Sequence, residues 1–550
     1  MTGLAGQTDE PSAHRDRFAR DNLPPRAAWP ELLFELPELA YPARLNVARA
    51  LLDSALVAGK REHTAIITDR ATLSYGALAE RVNRLASVLV HRLGLVPGNR
   101  VLLRGYNDPW MVAAYLAVWR AGGIAVGTMP LLRATELGQI LRKAEISHAL
   151  CDSRLAAELL AADAACLREV AMWGEGQLET LCAEADPDMP ACDTAAEDVA
   201  LIAFTSGTTG EPKGCVHFHR DLVAICDTYA RHVLRADAAD RFIGTPPLAF
   251  TFGLGGLLLF PFRIGAAVVL QERPGPEELF AAIVRHGASV CFTAPTAYRV
   301  MARLAAECRP HTLRRCVSAG EPLPVPVLEA WRDATGLWLM DGIGATEMLH
   351  IFIATGVDEA RPGLLGKVVP GYRAAVLDDA GRPLPDGTAG LLAVKGPTGC
   401  RYLADERQHR YVRWGWNITG DTFERTEDGW FRFRARSDDM IISAGYNIAG
   451  PEVEAALLTH EAVRECGVVG APDPERGQIV TAFVVLREGV APSDALAEAL
   501  QDHVKRTIAP YKYPRRIVFL GALPKTASGK LQRHALRALA SRQEASDAAR

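Results

Sequence analysis

From about residue 41 the chain alternates short apolar runs with longer amphipathic segments, and no other feature restricts its fold so strongly. Residues 73–93, LSYGALAERVNRLASVLVHRL, carry apolar side chains at helical spacing, and residues 99–106, NRVLLRGY, read as a short strand. Residues 109–129 read as a helix, a glycine turn and a strand. The rhythm returns at 199–207, at 265–273 followed by 276–287, and at 288–295. Strands alternating with helices of this length pack as parallel layers, so the expected class is α/β. A chain of 550 residues exceeds a single core and should divide into domains.

The texture changes near residue 370. Residues 374–396, AAVLDDAGRPLPDGTAGLLAVKG, read as two strands joined by Pro, Gly and Asp turns. After residues 433–448 comes a compact α+β pattern: helix at 451–463, strands at 465–473 and 479–488, and helix at 494–508. The expected organisation is an extension over 1–45, a large layered domain over 46–437 that is β-rich from about 370, and a small domain over 438–550. Residues 541–550, SRQEASDAAR, read as disordered.

Composition removes several classes. A net charge of -4 gives no reason to expect nucleic acid or an anionic membrane as partner. The eleven cysteines show no C-x-x-C pair, which fits reduced thiols in a cytoplasm. The polar N-terminus is unlike a signal peptide. The most apolar stretch, residues 253–270, is interrupted by Pro261 and Arg263 before it could span a bilayer, and reads as a buried strand–turn–strand.

The chemistry concentrates in Phe204–Asp221, FTSGTTGEPKGCVHFHRD, between a strand-like and a helix-like run. A Walker loop fails here, because Pro212 stands where the second glycine is needed. GIGATE, residues 342–347, fails as a dinucleotide fingerprint because Glu347 replaces the third glycine. The glycines of 205–214 still let backbone N–H groups approach an anion, the hydroxyls can donate to phosphate oxygens, and Lys213 adds a point charge.

TSGTTGEPKG resembles the signature loop of the adenylate-forming superfamily, which includes acyl- and aryl-CoA ligases. Further motifs follow in that family's order: SAGEP at 318–322, GIGATE at 342–347, TGD at 419–421, RSDDMI at 436–441 and PKTASGK at 524–530. The resemblance spans roughly residues 60–535 and implies a two-step reaction. A carboxylate attacks the α-phosphate of ATP, and a thiol then displaces AMP from the acyl-adenylate.

It also implies roles. Thr205, Ser206, Gly207, Thr208, Thr209, Gly210 and Lys213 would hold the phosphates. Ala319, Gly320 and Glu321 would meet adenine, and Gly344 and Ala345 would line the nucleotide. Glu347 would ligate Mg2+ beside Thr346 at the α-phosphate. Asp421 and Arg436 would bind ribose, Asp438 would be the hinge, and Lys530 the catalytic lysine. Gly445 and Tyr446 would line the coenzyme A tunnel.

GIGATEMLHIF, HFHRD and PPLAFTFGLGG resemble the benzoate–CoA ligase group, while residues 20–46 and FTAPTAYR are most similar to 2-aminobenzoate–CoA ligases. That implies a pocket for a small aromatic acid from Phe250, Thr251, Phe252, Tyr298, Gly342, Leu349 and His350, with His350 or Tyr298 at a ring substituent. Phe250 departs from relatives that carry His there and cannot hydrogen-bond. Benzoate, salicylate and other acids stay open, as do a carrier-protein acceptor and a non-catalytic nucleotide binder. Monomer and homodimer stay open too.

Overall fold

The computed structural model describes residues 12–205, 211–436, 439–443, 446–473, 476–508, 510–525 and 531–547. The chain divides into two compact units, Met1–Ala374 with Ala393–Ile418, and Ala375–Leu392 with Thr419–Arg550. It passes between them inside the strands Arg373–Leu377, Ala389–Lys395 and Trp416–Arg425.

The first unit is built on two large α/β sheets, as the alternating pattern requires. One has nine strands, ordered Lys367–Val368, Ile351–Ala354, Leu339–Gly344, Arg315–Ala319, Val290–Thr293, Arg241–Gly244, Ala267–Val269, Thr64–Ile67 and Thr72–Ser74. Its six middle strands run parallel and its edges antiparallel. The other has six strands, ordered Glu169–Trp173, His148–Asp152, Arg100–Arg104, Ile124–Thr128, Val199–Thr205 and Lys213–Phe218, antiparallel only at the last pair. Strands such as Arg100–Arg104 and His148–Asp152 are buried along their whole length, the signature of parallel sheets covered on both faces. Residues 12–45 are tied to this unit: Ala19 is wholly buried in its core, and Leu33 N–H bonds the Gly396 carbonyl.

In the second unit, the long antiparallel pair Val463–Asp473 and Gly477–Leu486 carries Met440–Ser443, Tyr446–Ala449 and Arg516–Phe519 beside it. The helices Gly450–Leu458 and Asp494–Thr507 bury Val453, Leu457, Leu500 and Val504 in one core.

Three sequence expectations are corrected. The loop after Thr205 does not lead into a helix. It joins two antiparallel strands, with Thr205 and Lys213 as register partners, and the helix begins only at His219. Residues 251–264 are helical, not strand–turn–strand, because a wholly buried apolar run has no period to separate the two and this one is too long for a strand. Pro261 lies inside this continuous helical stretch, two residues past the π-helical turn Gly255–Leu259. Of the tail expected to be disordered, residues 541–547 instead belong to the helix Arg533–Asp547, and residues 548–550 lie outside the described residues.

An ion pair locks the first unit's core. Asp221 and Arg401 are both wholly buried and meet at 2.8 Å. Burial pushes the Asp221 carboxyl up, but Arg401, His217 and Arg220 together hold it well below the usual carboxylate range. Removing one partner strands the other charge in the core. Arg401→Met should therefore lower stability by about 3–5 kcal/mol, read as a drop in thermal unfolding temperature. Arg401→Met with Asp221→Asn should recover part of that loss.

Candidate active site

The hairpin Val199–Thr205/Lys213–Phe218 presents the loop's two described ends. Among the described residues the buried Thr205 Oγ1 has no hydrogen-bonding partner. Opposite it, Lys213 Nζ donates to the Tyr402 hydroxyl at 2.8 Å and lies 3.3 Å from Glu347 Oε1. Two residues of one strand face grip the same turn, because His217, four positions on, donates from Nε2 to the Thr346 carbonyl at 2.8 Å. Ser206, Gly207, Thr208, Thr209 and Gly210 lie outside the described residues.

Glu347 sits in the short turn Thr346–Met348, largely buried, and its Oε1 also accepts the Tyr402 O–H. Burial, and then the Glu347 charge, pushes the Tyr402 hydroxyl far up, so it stays protonated and donates. Among the described residues Glu347 Oε2 takes no donor. A buried hard-oxygen group with a free oxygen suits Mg2+, which is commonly held by one or two carboxylates together with substrate phosphates. No group of three or more His, Cys, Asp or Glu among the described residues forms a metal cage of its own.

Beyond the turn, Leu349 has φ 70° and ψ -37°, a strained region for a branched residue. The reversal there separates Glu347 from His350. The His350 ring lies among Phe260 at 4.6 Å, Tyr229 at 5.4 Å, Phe252 at 5.7 Å and Phe292 at 6.5 Å between centroids. Among the described residues neither ring nitrogen has a partner of hydrogen-bonding geometry, nor has the Tyr229 hydroxyl. Burial lowers the imidazole to about 3 and outweighs the raising effect of the Phe252 backbone, so the ring is neutral at pH 7. Asp341, which raises the Tyr229 hydroxyl after burial itself, is pushed by burial up to about 8 and also holds its proton.

Glycine makes this packing possible. A Cβ at Gly255 would stand 2.4 Å from His350 Cδ2, and one at Gly256 would stand 2.7 Å from the Phe292 ring. Both belong to the π-helical turn Gly255–Leu259. Gly342 and Gly344 are equally constrained, by Ile351 and by the His350 backbone.

The expected pocket is only partly assembled. Phe252 and His350 come together, and Leu349 is buried beside the turn. Thr251 opens the helical stretch, while Phe250 is 38% exposed and makes no aromatic contact among the described residues. Tyr298 is a correction. It belongs to the core with Trp331, and its hydroxyl is shared by the Cys291 and Val317 carbonyls, each at 3.1 Å. Its one O–H is already donated, and the side chain is wholly buried. Tyr229, Phe260, Phe292 and Tyr402 escaped the sequence reading, since no motif marks them and only packing collects them.

Ala319 ends its strand, Gly320 follows at φ 90°, a conformation that favours glycine, and Glu321 comes next. Ala345 caps the turn that holds Thr346. In the second unit Asp421 is buried and stands in register with Arg436 across an antiparallel pair, so the backbone brings these two positions together. Tyr446 opens the strand Tyr446–Ala449. Asp438, Gly445 and Lys530 lie outside the described residues.

Comparison with known proteins defines the class, an enzyme that activates an acid with a nucleotide. The AMP-binding enzyme model matches residues 54–402 and the AMP-binding enzyme C-terminal domain matches residues 452–530, and the chain belongs to this family, in its benzoate–CoA ligase group. It is 36% identical to the benzoate–CoA ligase of Thauera aromatica over 518 residues, covering 91% of this chain and 97% of that protein. The structure of the anthranilate CoA ligase AuaEII in complex with anthranoyl-AMP superimposes with a TM-score of 0.86 at 31% identity, over 93% of this chain and 100% of that one. A benzoate CoA ligase from Burkholderia xenovorans LB400 gives 0.81 at 34%, over 90% and 99%. The protein is thus an acid–CoA ligase that uses ATP, Mg2+ and coenzyme A. Its eleven cysteines are free thiols, and among the described residues no helix is long and apolar enough to cross a membrane.

Two outcomes are expected. Tyr298→Phe should leave the KM for the acid within about twofold while lowering stability by about 1 kcal/mol, measured by steady-state kinetics and thermal unfolding. His350 is neutral in the folded chain down to about pH 3 but charges near 6.5 when unfolded. The unfolded state therefore binds the extra proton between those values, and stability falls as pH drops through that window. The contribution is up to about 1.4 kcal/mol per pH unit. Unfolding temperatures from pH 7 to 4.5 should fall less steeply for His350→Gln than for the wild type.

Proposed function

We propose that the protein is a cytoplasmic aryl-CoA ligase that converts 2-aminobenzoate to its adenylate and then to its coenzyme A thioester, releasing pyrophosphate and AMP. The observation that carries this reading is His350, a neutral imidazole enclosed by four aromatic rings, neither of whose nitrogens meets a partner of hydrogen-bonding geometry among the described residues. Buried polar groups need partners, and a flat ring bearing one amine or hydroxyl supplies what the chamber lacks. Its neutral ring can accept from an aromatic amine at one nitrogen and donate at the other. Support also comes from the anthranoyl-AMP that the AuaEII structure holds.

Residues 205–210 and Lys213 take the phosphates in this reading. Ala319, Gly320 and Glu321 face adenine, with Gly344 and Ala345 along the nucleotide. Asp421 and Arg436 bind the ribose. Glu347 ligates Mg2+, which supplies positive charge to the phosphate oxygens, and Thr346 contacts the α-phosphate. Carboxylate and phosphate repel each other, so Lys530 is placed between them for the first half-reaction. Residues 438–550 then turn about Asp438 to bring Gly445 and Tyr446 to the thiol.

The deciding experiment is AMP release with MgATP and coenzyme A across benzoate, 2-aminobenzoate, salicylate and octanoate. The expected result is the highest kcat/KM for 2-aminobenzoate, falling by about tenfold or more relative to benzoate in His350→Phe. Equal turnover of benzoate and 2-aminobenzoate would reject the amine assignment, and turnover of octanoate alone would reject the aryl chamber. Lys530→Ala should slow adenylate formation by about 100-fold or more, while thioester formation from supplied acyl-adenylate persists.

A further inference from the structure

The contact between Lys213, Tyr402 and Glu347 has a consequence for how the enzyme takes up its metal. The ammonium of Lys213 is the nearest cation to the buried Glu347 carboxylate among the described residues, at 3.3 Å. The same ammonium donates to Tyr402, whose single O–H then donates to Glu347 Oε1. Tyr402 is almost wholly buried, and the backbone pairing of Tyr402 with Cys215 fixes it beside the Lys213 strand. A buried carboxylate without a counter-charge is strongly unfavourable, so Lys213 has a structural task before any phosphate arrives. A dication on Glu347 would repel an ammonium at that distance.

We propose that Lys213 is the resident counter-ion of Glu347 in the empty enzyme and yields the carboxylate to the divalent cation that enters with ATP, while Tyr402 keeps Glu347 in place through the exchange. This rests on reading Glu347 as the metal-binding carboxylate. Lys213 lies on the strand that leaves the phosphate loop, so the incoming phosphates give its charge a new partner at the moment it loses the old one. Without nucleotide that partner is missing, and a cation must evict Lys213 unaided. Metal affinity is thereby coupled to ATP, with Lys213 as the coupling residue and Tyr402 as a positioning residue.

The test is binding of Mn2+, followed by its electron paramagnetic resonance signal, to full-length enzyme with and without α,β-methylene-ATP. Lys213→Met and Lys213→Gln should each bind Mn2+ alone about tenfold or more tightly than wild type. That gain should vanish in Lys213→Met with Glu347→Gln. Tyr402→Phe should show no gain without nucleotide, and should weaken Mn2+ in the nucleotide complex by about three- to tenfold. If neither Lys213 variant binds Mn2+ alone more tightly, while Glu347→Gln still weakens Mn2+ in the nucleotide complex, the counter-ion role is overturned and the metal-ligand reading stands. If Glu347→Gln leaves the nucleotide complex unchanged, the metal-ligand reading itself falls. Wild-type behaviour of Tyr402→Phe in that complex would remove Tyr402 from the device.

Discussion

The wholly buried Asp221–Arg401 pair is the constraint on which the site depends. Asp221 belongs to the helix that follows the Lys213–Phe218 strand, and Arg401 immediately precedes Tyr402. Backbone bonds repeat the tie: Val216 N–H reaches the Arg401 carbonyl at 2.8 Å and Leu403 N–H the Gly214 carbonyl at 2.9 Å. Two segments nearly two hundred residues apart are thus held side by side, and Lys213 and Tyr402 both arrive at Glu347. An ion pair of this kind adds little net stability over a well-packed apolar substitute. What it contributes here is placement, since neither charge can be satisfied in another register.

The aromatic chamber is governed by steric constraint instead of charge. The π-helical turn at Gly255–Leu259 brings backbone against His350 and Phe292 where any side chain would collide. Strain at Leu349 lets one short turn present a carboxylate to Lys213 and Tyr402 and an imidazole to the rings within four residues. Irregular helix geometry and unfavourable backbone angles persist where surrounding packing over-determines them, and such places concentrate at functional sites. The same packing explains the protonation states, because His350 and Asp341 are both driven to their neutral forms by burial. The surroundings of His350 are mostly aromatic rings, and its imidazole is uncharged at pH 7.

The sequence made the motifs legible because each is a run of consecutive residues whose chemistry does not depend on the rest of the chain. Glycines and hydroxyls around Lys213 and the Thr346–Glu347 pair could be read directly, and the α/β class followed from alternation alone. Tyr298 was misread because a lone tyrosine carries no sign of whether its hydroxyl is already bonded. Here two main-chain carbonyls from neighbouring strands take it. Residues 251–264 were misread because burial on all sides erases the periodicity that separates helix from strand. Tyr229, Phe260, Phe292 and Tyr402 lie on four separate stretches of chain, and no local pattern announces them.

The sequence by itself determined the layered α/β architecture, the family and the local chemistry of each motif, because these rest on short-range patterning and on side-chain type. Only the tertiary structure decided which groups meet: that Lys213 pairs with Glu347 through Tyr402, that His217 holds the Thr346 carbonyl, and that His350 is enclosed and unpartnered. Those outcomes depend on strand register and on burial. Both are properties of the whole fold, and no stretch of sequence contains them.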